Sequence, residues 1–317
     1  MVCRRLVLAA LAAMPLLAGP AGAQEAKMPV VASFSILGDF VREVGGDRVS
    51  VATIVGPNGD AHVYQPTPAD AKKLAAAKVV FVNGLGFEGW MERLAKASGT
   101  KATIVVATTG IAPREMADDD DDHGKTGGKK DGKSEAHGHD HGGTDPHAWQ
   151  SIANAKVYVA NIRDALVAAD PAGRDAYAAN AAAYTAKLDA LDAEVKAALA
   201  KIPAEQRRII TSHDAFGYFG AAYGVELISP EGVSTESEAS AKDVARIIRQ
   251  IKAQKIPAVF LENVTNPRLI ERIAKETGAK IGGELYTDAL SDDKGPASTY
   301  ILMIQSNVRT LSSALSS

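Results

Sequence analysis

The chain has a single cysteine in 317 residues, Cys3, and it falls inside an N-terminal segment that reads as an export signal. The rest of the chain therefore has no thiol, which excludes disulfides, thiolate-ligated metals and thiol catalysis. Aromatic residues are sparse, at 5%, and nowhere interleaved with a basic patch, while the formal net charge is −3. That combination excludes nucleic acid as a partner. Beyond Gln24 no apolar run is long enough to cross a bilayer.

Residues 1–23 have the three parts of a signal peptide: Arg4 and Arg5, an apolar run from Leu6 to Leu17, and Ala21-Gly22-Ala23 as a cleavage site. No cysteine follows the apolar run. A periplasmic product, cleaved near Ala23 and not lipidated, is the expectation.

Two α/β blocks flank a long helical stretch. The first is expected to hold strands at residues 30–34, 49–55, 79–82 and 103–107, with helices between them. Thr67 is placed as a helix cap, with Pro68 at the first helical position and Asp70 facing the positive end. Residues 115–146, rich in Asp, Gly, Lys and His, have almost no apolar side chains to pack and are expected to form a disordered loop. Residues 171–201 then carry Tyr177, Ala181, Tyr184, Leu188, Leu191, Val195 and Leu199 on one helical face. At 1.5 Å per residue, a helix here runs roughly 40–45 Å and acts as a strut; two shorter helices with a bend are the alternative. The second block alternates strands at 208–212, 225–228, 258–261 and 280–283 with helices, ending in one that bears Ile301, Ile304, Val308, Leu311 and Leu315. The alternation predicts an α/β fold of two lobes, each a mainly parallel sheet with flanking helices, joined by one long linking helix. The expected division is a signal peptide at 1–23, a first lobe at 24–170, the linking helix at 171–201 and a second lobe at 202–317.

Three histidines stand alone, each in a short polar break beside an apolar run: His62 in NGDAHVYQPTP, His147 in TDPHAW and His213 in ITSHDAFGYF. Asp288, in LYTDALS, is a carboxylate of similar placement, although Asp292 and Asp293 share its loop. Imidazoles and a carboxylate drawn from several loops suit a buried transition-metal site, and crevices beyond strand ends are where open α/β sheets bind ligands. The other four histidines, His123, His137, His139 and His141, crowd into the 115–146 tract, as a weak, exposed collector of the same ion or a solvating tract. HGHDH there is one residue short of a binuclear hydrolase motif and lies in no rigid turn, which argues against an enzyme. A zinc hydrolase would need a general base, for which Glu262 is the candidate; its other reading is a carboxylate behind a metal ligand.

These segments together resemble the zinc- and manganese-type solute-binding proteins of bacterial ABC importers. GDAHVYQPTPAD is similar to the first-ligand loop of that family, with Ala61 where proline is frequent; TDPHAW, SHDAFGYFGAAYG and ELYTDALS resemble the other three ligand segments. The resemblance implies two lobes on a rigid helix, one metal in the cleft held by His62, His147, His213 and Asp288, and delivery to a membrane permease. Manganese-type members tend to have a carboxylate at the third position, whereas this chain has His213. A set of three imidazoles and one carboxylate suits tetrahedral Zn²⁺, with manganese or another divalent ion as the alternative. The protein is expected to be a monomer, to bind one Zn²⁺ tightly with weaker Zn²⁺ in the loop, and to meet a permease and a periplasmic zinc chaperone. Affinity is expected to weaken as pH falls through the histidine range near ~6.5, and Asp288, beside Gly295 in a charged loop, to be the ligand that detaches on release.

Overall fold

The computed structural model describes residues 26–115 and 143–316. The export signal at 1–23 and the four clustered histidines, His123, His137, His139 and His141, lie outside the described residues.

In the first lobe, β1 (Met28–Phe34), α1 (Ser35–Gly45), β2 (Val49–Val55), α2 (Pro68–Ala76), β3 (Val79–Val82), α3 (Met91–Ser98) and β4 (Thr103–Val106) alternate as the apolar periodicity requires. The strands form one parallel sheet in the order β2-β1-β3-β4. Central β1 and β3 are continuous apolar runs because helices cover both faces of the sheet. α2 starts at a full capping box: the Thr67 side chain accepts from Asp70 N, and the Asp70 carboxylate accepts from Thr67 N. Asp70 also accepts from Tyr64 Oη at 2.9 Å, which ties the β2–α2 loop down to the helix start.

The two ends of the expected loop meet in a short antiparallel ribbon, β5 (Arg114–Glu115) against β6 (Thr144–Asp145). α4 (Ile152–Ala169) follows, and after a tight turn at Pro171–Gly173 comes α5 (Arg174–Leu199), one unbroken helix of 26 residues. All seven positions of its expected apolar face are buried. α5 packs on α1 and α4 of the first lobe and on α9 (Tyr300–Leu315) of the second. Asn180 Nδ2 donates to Val44 O at one end, while Asp192 accepts from Tyr223 Oη and Glu194 from Gln305 Nε2 at the other.

The second lobe runs β7 (Arg208–Ile210), α6 (Gly217–Tyr223), β8 (Glu226–Ile228), α7 (Ala241–Gln254), β9 (Ala258–Glu262), α8 (Arg268–Thr277) and β10 (Lys280–Leu285) before α9. Its parallel sheet has the order β10-β9-β7-β8. Counted from β7 as the first strand, this is the strand order of the first lobe. Each sheet thus reverses direction beside its own first strand, between β1 and β3 and between β7 and β9. At such a point a crevice opens beyond the strand carboxyl ends. One apolar core runs from the first lobe along α5 into α9, so the lobes are not separate bodies on a loose tether. Among the described residues no helix is long and apolar enough to cross a membrane.

Candidate metal centre

His213 lies three residues past β7, and Glu262 closes the adjacent β9, so the pair straddles the crevice of the second lobe. Glu262 Oε1 accepts from Ser212 N at 2.5 Å and His213 N at 3.0 Å, and its Oε2 stands 2.6 Å from His213 Nδ1. His147 follows β6, with its backbone N–H donating to Asp145 Oδ1 and its ring Nδ1 2.9 Å from the same oxygen. His62 comes from the β2–α2 loop, where its N–H donates to Asp60 Oδ1 at 2.9 Å. Asp288 follows β10.

The four side chains converge, and one ligand atom from each lies within 4.8 Å of every other. His62 Nε2 is 3.3 Å from His147 Nε2 and 3.3 Å from Asp288 Oδ2. His213 Nε2 is 3.1 Å from Asp288 Oδ2, and His147 Nε2 is 3.4 Å from Asp288 Oδ1. A tetrahedral ion with ligands at about 2.0–2.1 Å has ligand–ligand edges of about 3.3–3.4 Å. The Asp288 Oδ1 atom is buried and accepts no hydrogen bond, an acceptor in need of a cation. The carboxylates behind the His147 and His213 Nδ1 atoms favour a proton there, which turns each Nε2 lone pair to the centre. Phe87 sets its edge against His62, with centroids 4.7 Å apart, and Trp149 stands 5.2 Å from His147. These apolar rings keep water out and raise the strength of every charge contact inside.

Burial alone disfavours charge on all these groups, but they support one another. Burial lowers the His147 pKa, yet Asp288 and Asp145 outweigh it and hold the ring up to about 9. Burial likewise opposes a charged His213, while Glu262 and Asp288 raise it well above the ordinary histidine range. Burial raises the Asp288 pKa, and His147 and His213 pull it well below the usual carboxylate range. The expected onset of proton competition near ~6.5 therefore moves upward, because each of these imidazoles has carboxylates beside it.

Asp292 and Asp293 are exposed and outside the cluster; Asp292 Oδ1 instead accepts from Lys294 N and Gly295 N. The Asp288 segment, expected from its charged flank to be able to move, is held by several hydrogen bonds from the first lobe. Thr287 O accepts from Trp149 Nε1 and Gln150 Nε2, each at 2.9 Å, Leu290 N donates to Ser35 Oγ and Leu290 O accepts from Asn58 N. Asp145 was missed from sequence, although a carboxylate two residues before a candidate ligand in DPH was the available signal. Glu88 was missed as well. It is the first-lobe counterpart of Glu262, accepting from Ser33 Oγ, Asn83 N and Gly84 N across the β1/β3 crevice.

Two like lobes on a rigid helix, with a cation-seeking centre between them, define a binding protein whose cargo is an ion. The family described as "ZnuA: Zinc-uptake complex component A periplasmic" matches residues 30–314. The chain belongs to this family, the periplasmic metal-binding proteins of ABC metal importers, which are not enzymes and which serve a membrane permease. It is similar to the iron-binding protein YfeA of Yersinia pestis, at 37% identity over 285 residues, 90% of this chain and 85% of the relative. It is also similar to the manganese-binding lipoprotein MntA of Halalkalibacterium halodurans, at 36% identity over 91% of this chain and 89% of the relative. Among solved structures, the periplasmic zinc binding protein TroA from Treponema pallidum superposes with a TM-score of 0.80 at 29% identity, covering 92% of this chain and 99% of that one.

One expectation is overturned here. The reading of a freely diffusing, unlipidated product conflicts with relatives named as lipoproteins, a membrane-anchored class; MntA is one and PsaA of Streptococcus pneumoniae another. A lipid anchor is a few acyl chains on one residue. Neither the apolar content of the folded lobes nor the lack of a spanning helix bears on it.

Proposed function

We propose that this chain captures Zn²⁺ between its lobes through His62, His147, His213 and Asp288 and hands the ion to its permease. The observation that carries this reading is the donor set: three imidazole nitrogens and one buried carboxylate from both lobes, whose nearest donor atoms stand 3.1–3.4 Å apart. A nitrogen-rich set of four suits Zn²⁺ and leaves no open position for an activated water. Glu262, whose Oε1 accepts from Ser212 N and His213 N and whose Oε2 lies 2.6 Å from His213 Nδ1, stands behind that ligand as a supporting carboxylate and not as a base for hydrolysis.

A manganese or iron cargo is the second reading, favoured by one feature. Both Asp288 oxygens face histidines, Oδ2 toward His62 and His213 and Oδ1 toward His147, so a chelating carboxylate would make a five-coordinate site. The names of YfeA and MntA point the same way for those relatives. Elemental analysis of the protein isolated from its native compartment, beside His213→Ala, separates the readings. Zinc retained one to one and lost in His213→Ala supports the first; manganese or iron retained in its place supports the second.

The remaining parts of the proposal follow from sequence. Residues 1–23 direct export, the lobes divide near 24–170 and 202–317 about the 171–201 helix, and the protein acts as a monomer. The tract bearing His123, His137, His139 and His141 gathers Zn²⁺ weakly or meets a periplasmic zinc chaperone.

A further inference from the structure

His147, His213 and Asp288 have no exposed surface, whereas His62 retains 7%. The exposed edge of His62 borders a cavity of about 440 Å³ lined in part by Tyr64, Trp90, Arg93 and Glu236. Carboxylates stand behind the Nδ1 atoms of His147 and His213, but among the described residues no hydrogen bond holds His62 Nδ1. His62 is instead steadied through its backbone, by Asp60 Oδ1. The other oxygen of Asp60 accepts from Thr235 Oγ1 at 2.6 Å. Thr235 belongs to the opposite lobe, in the segment between β8 and α7. That segment begins by bonding to the His213 loop, with Glu231 N donating to Ser212 O and Asp214 N to Gly232 O. One carboxylate thus connects a first-lobe ligand to the second-lobe segment that rests on another ligand.

We propose that Asp60 is a positioning residue, and that its bond to Thr235 is the latch that keeps His62 on the ion. His62 is then the last ligand to close on capture and the first to leave on release, through the cavity beside it. The three sealed ligands stay in place, since the helical strut and the clamped Asp288 segment hold them. This inference rests on the four side chains being the metal ligands.

The test is chelator-driven release of Co²⁺ by stopped flow from the full exported protein and three variants, Thr235→Val, Thr235→Ser and Asn263→Ala. Asn263 is the control for a moving Asp288 segment, because its amide donates to Ala289 O and accepts from Thr287 N. Loss of a charge-assisted hydrogen bond predicts release about five- to tenfold faster in Thr235→Val. Thr235→Ser is expected to restore the wild-type rate, and Asn263→Ala to stay within about twofold of it. The visible Co²⁺ spectrum should be the same in all four, since no ligand is removed. Release at the wild-type rate in Thr235→Val overturns the latch, as does equally fast release in Thr235→Ser or faster release in Asn263→Ala. A different failure marks the ligand assignment itself: a wild-type Co²⁺ spectrum that His62→Ala leaves unchanged removes His62 from the ion, and the latch with it.

Discussion

Loading this centre requires protons to leave it, and the structure says how many and over what range of pH. Without metal, His147 is held up to about 9 and His213 well above its ordinary value, so at pH 7 both rings are protonated. Asp288, held low by those two imidazoliums, is ionised throughout. A ligating imidazole must be neutral, so each ion bound at pH 7 displaces about two protons. Each displaced proton is worth a factor of ten per pH unit. Apparent affinity should therefore rise at least about tenfold from pH 7 to 8 through His147 alone, with His213 adding to it, and keep rising until the His147 value is passed. Histidines of ordinary pKa, near ~6.5, would leave affinity almost flat over the same interval. Competition against a chelator of known pH dependence measures the slope, and calorimetry in two buffers of different ionisation enthalpy counts the protons. An affinity constant within about twofold from pH 7 to 8.5, with no buffer-dependent heat, would refute the reasoning.

The same linkage fixes the stability of the metal-free protein, with the opposite sign. His147 binds its proton more tightly folded than unfolded, so its contribution is complete below pH ~6.5 and fades as pH rises to about 9. Over that interval the loss is of the order of 3 kcal/mol. Asp288, depressed in the folded state, contributes above pH ~3.9 and loses that contribution as pH falls further. Thermal melts of the metal-free protein should therefore weaken from pH 6.5 to 9, while those of the metal-saturated protein should change little, because its ligating imidazoles carry no proton to lose.

Asp288→Asn removes the charge that both supports the imidazoliums and binds the ion. Zinc affinity should fall at least 100-fold, and its pH slope should flatten, by the same competition assay. Asp145→Asn and Glu262→Gln leave the ligands in place but release His147 and His213, so each should weaken zinc binding about 10- to 100-fold in that assay. Thr67→Ala breaks the capping box of α2 without removing a ligand, and should cost about 1 kcal/mol in denaturant unfolding with zinc affinity within about threefold. Deleting residues 117–143 should leave tight zinc binding intact in equilibrium titration while slowing loading from a scarce pool; loss of tight binding would mean the cleft ligands were wrongly assigned.

Much of this was readable before any coordinates. The α5 face was legible because a 3.6-residue repeat of Tyr, Ala, Leu and Val over seven positions fits no other local structure. The strand β3 was legible because a buried parallel strand is an apolar run with polar punctuation on both sides. The three ligand histidines stood out for a related reason, as polar residues set where apolar runs end. What escaped depends on contacts distant in sequence. Glu262 accepts from the Ser212 and His213 N–H groups some fifty residues before it, and Glu88 from Ser33 Oγ on β1, so these contacts follow from strand order, which periodicity does not encode. The charged run after Asp288 suggested a mobile loop, yet Ser35, Asn58, Trp149 and Gln150 reach it from positions more than 130 residues away.

The repeated strand order explains why the four donors meet between the lobes. Each sheet opens its crevice at its own point of reversal, side chains from both lobes meet between the two crevices, and α5 and the shared core tie the lobes together. A cleft of that kind cannot admit and expel cargo by wide domain closure, the usual device when two lobes meet at a flexible hinge. Exchange must instead be local, through whichever ligand is least encumbered. Trp149 and Gln150 encumber Asp288 through Thr287 O, Asp145 encumbers His147, and Glu262 encumbers His213. The rigidity that holds four donors at ionic spacing is the same property that leaves His62 as the one able to yield.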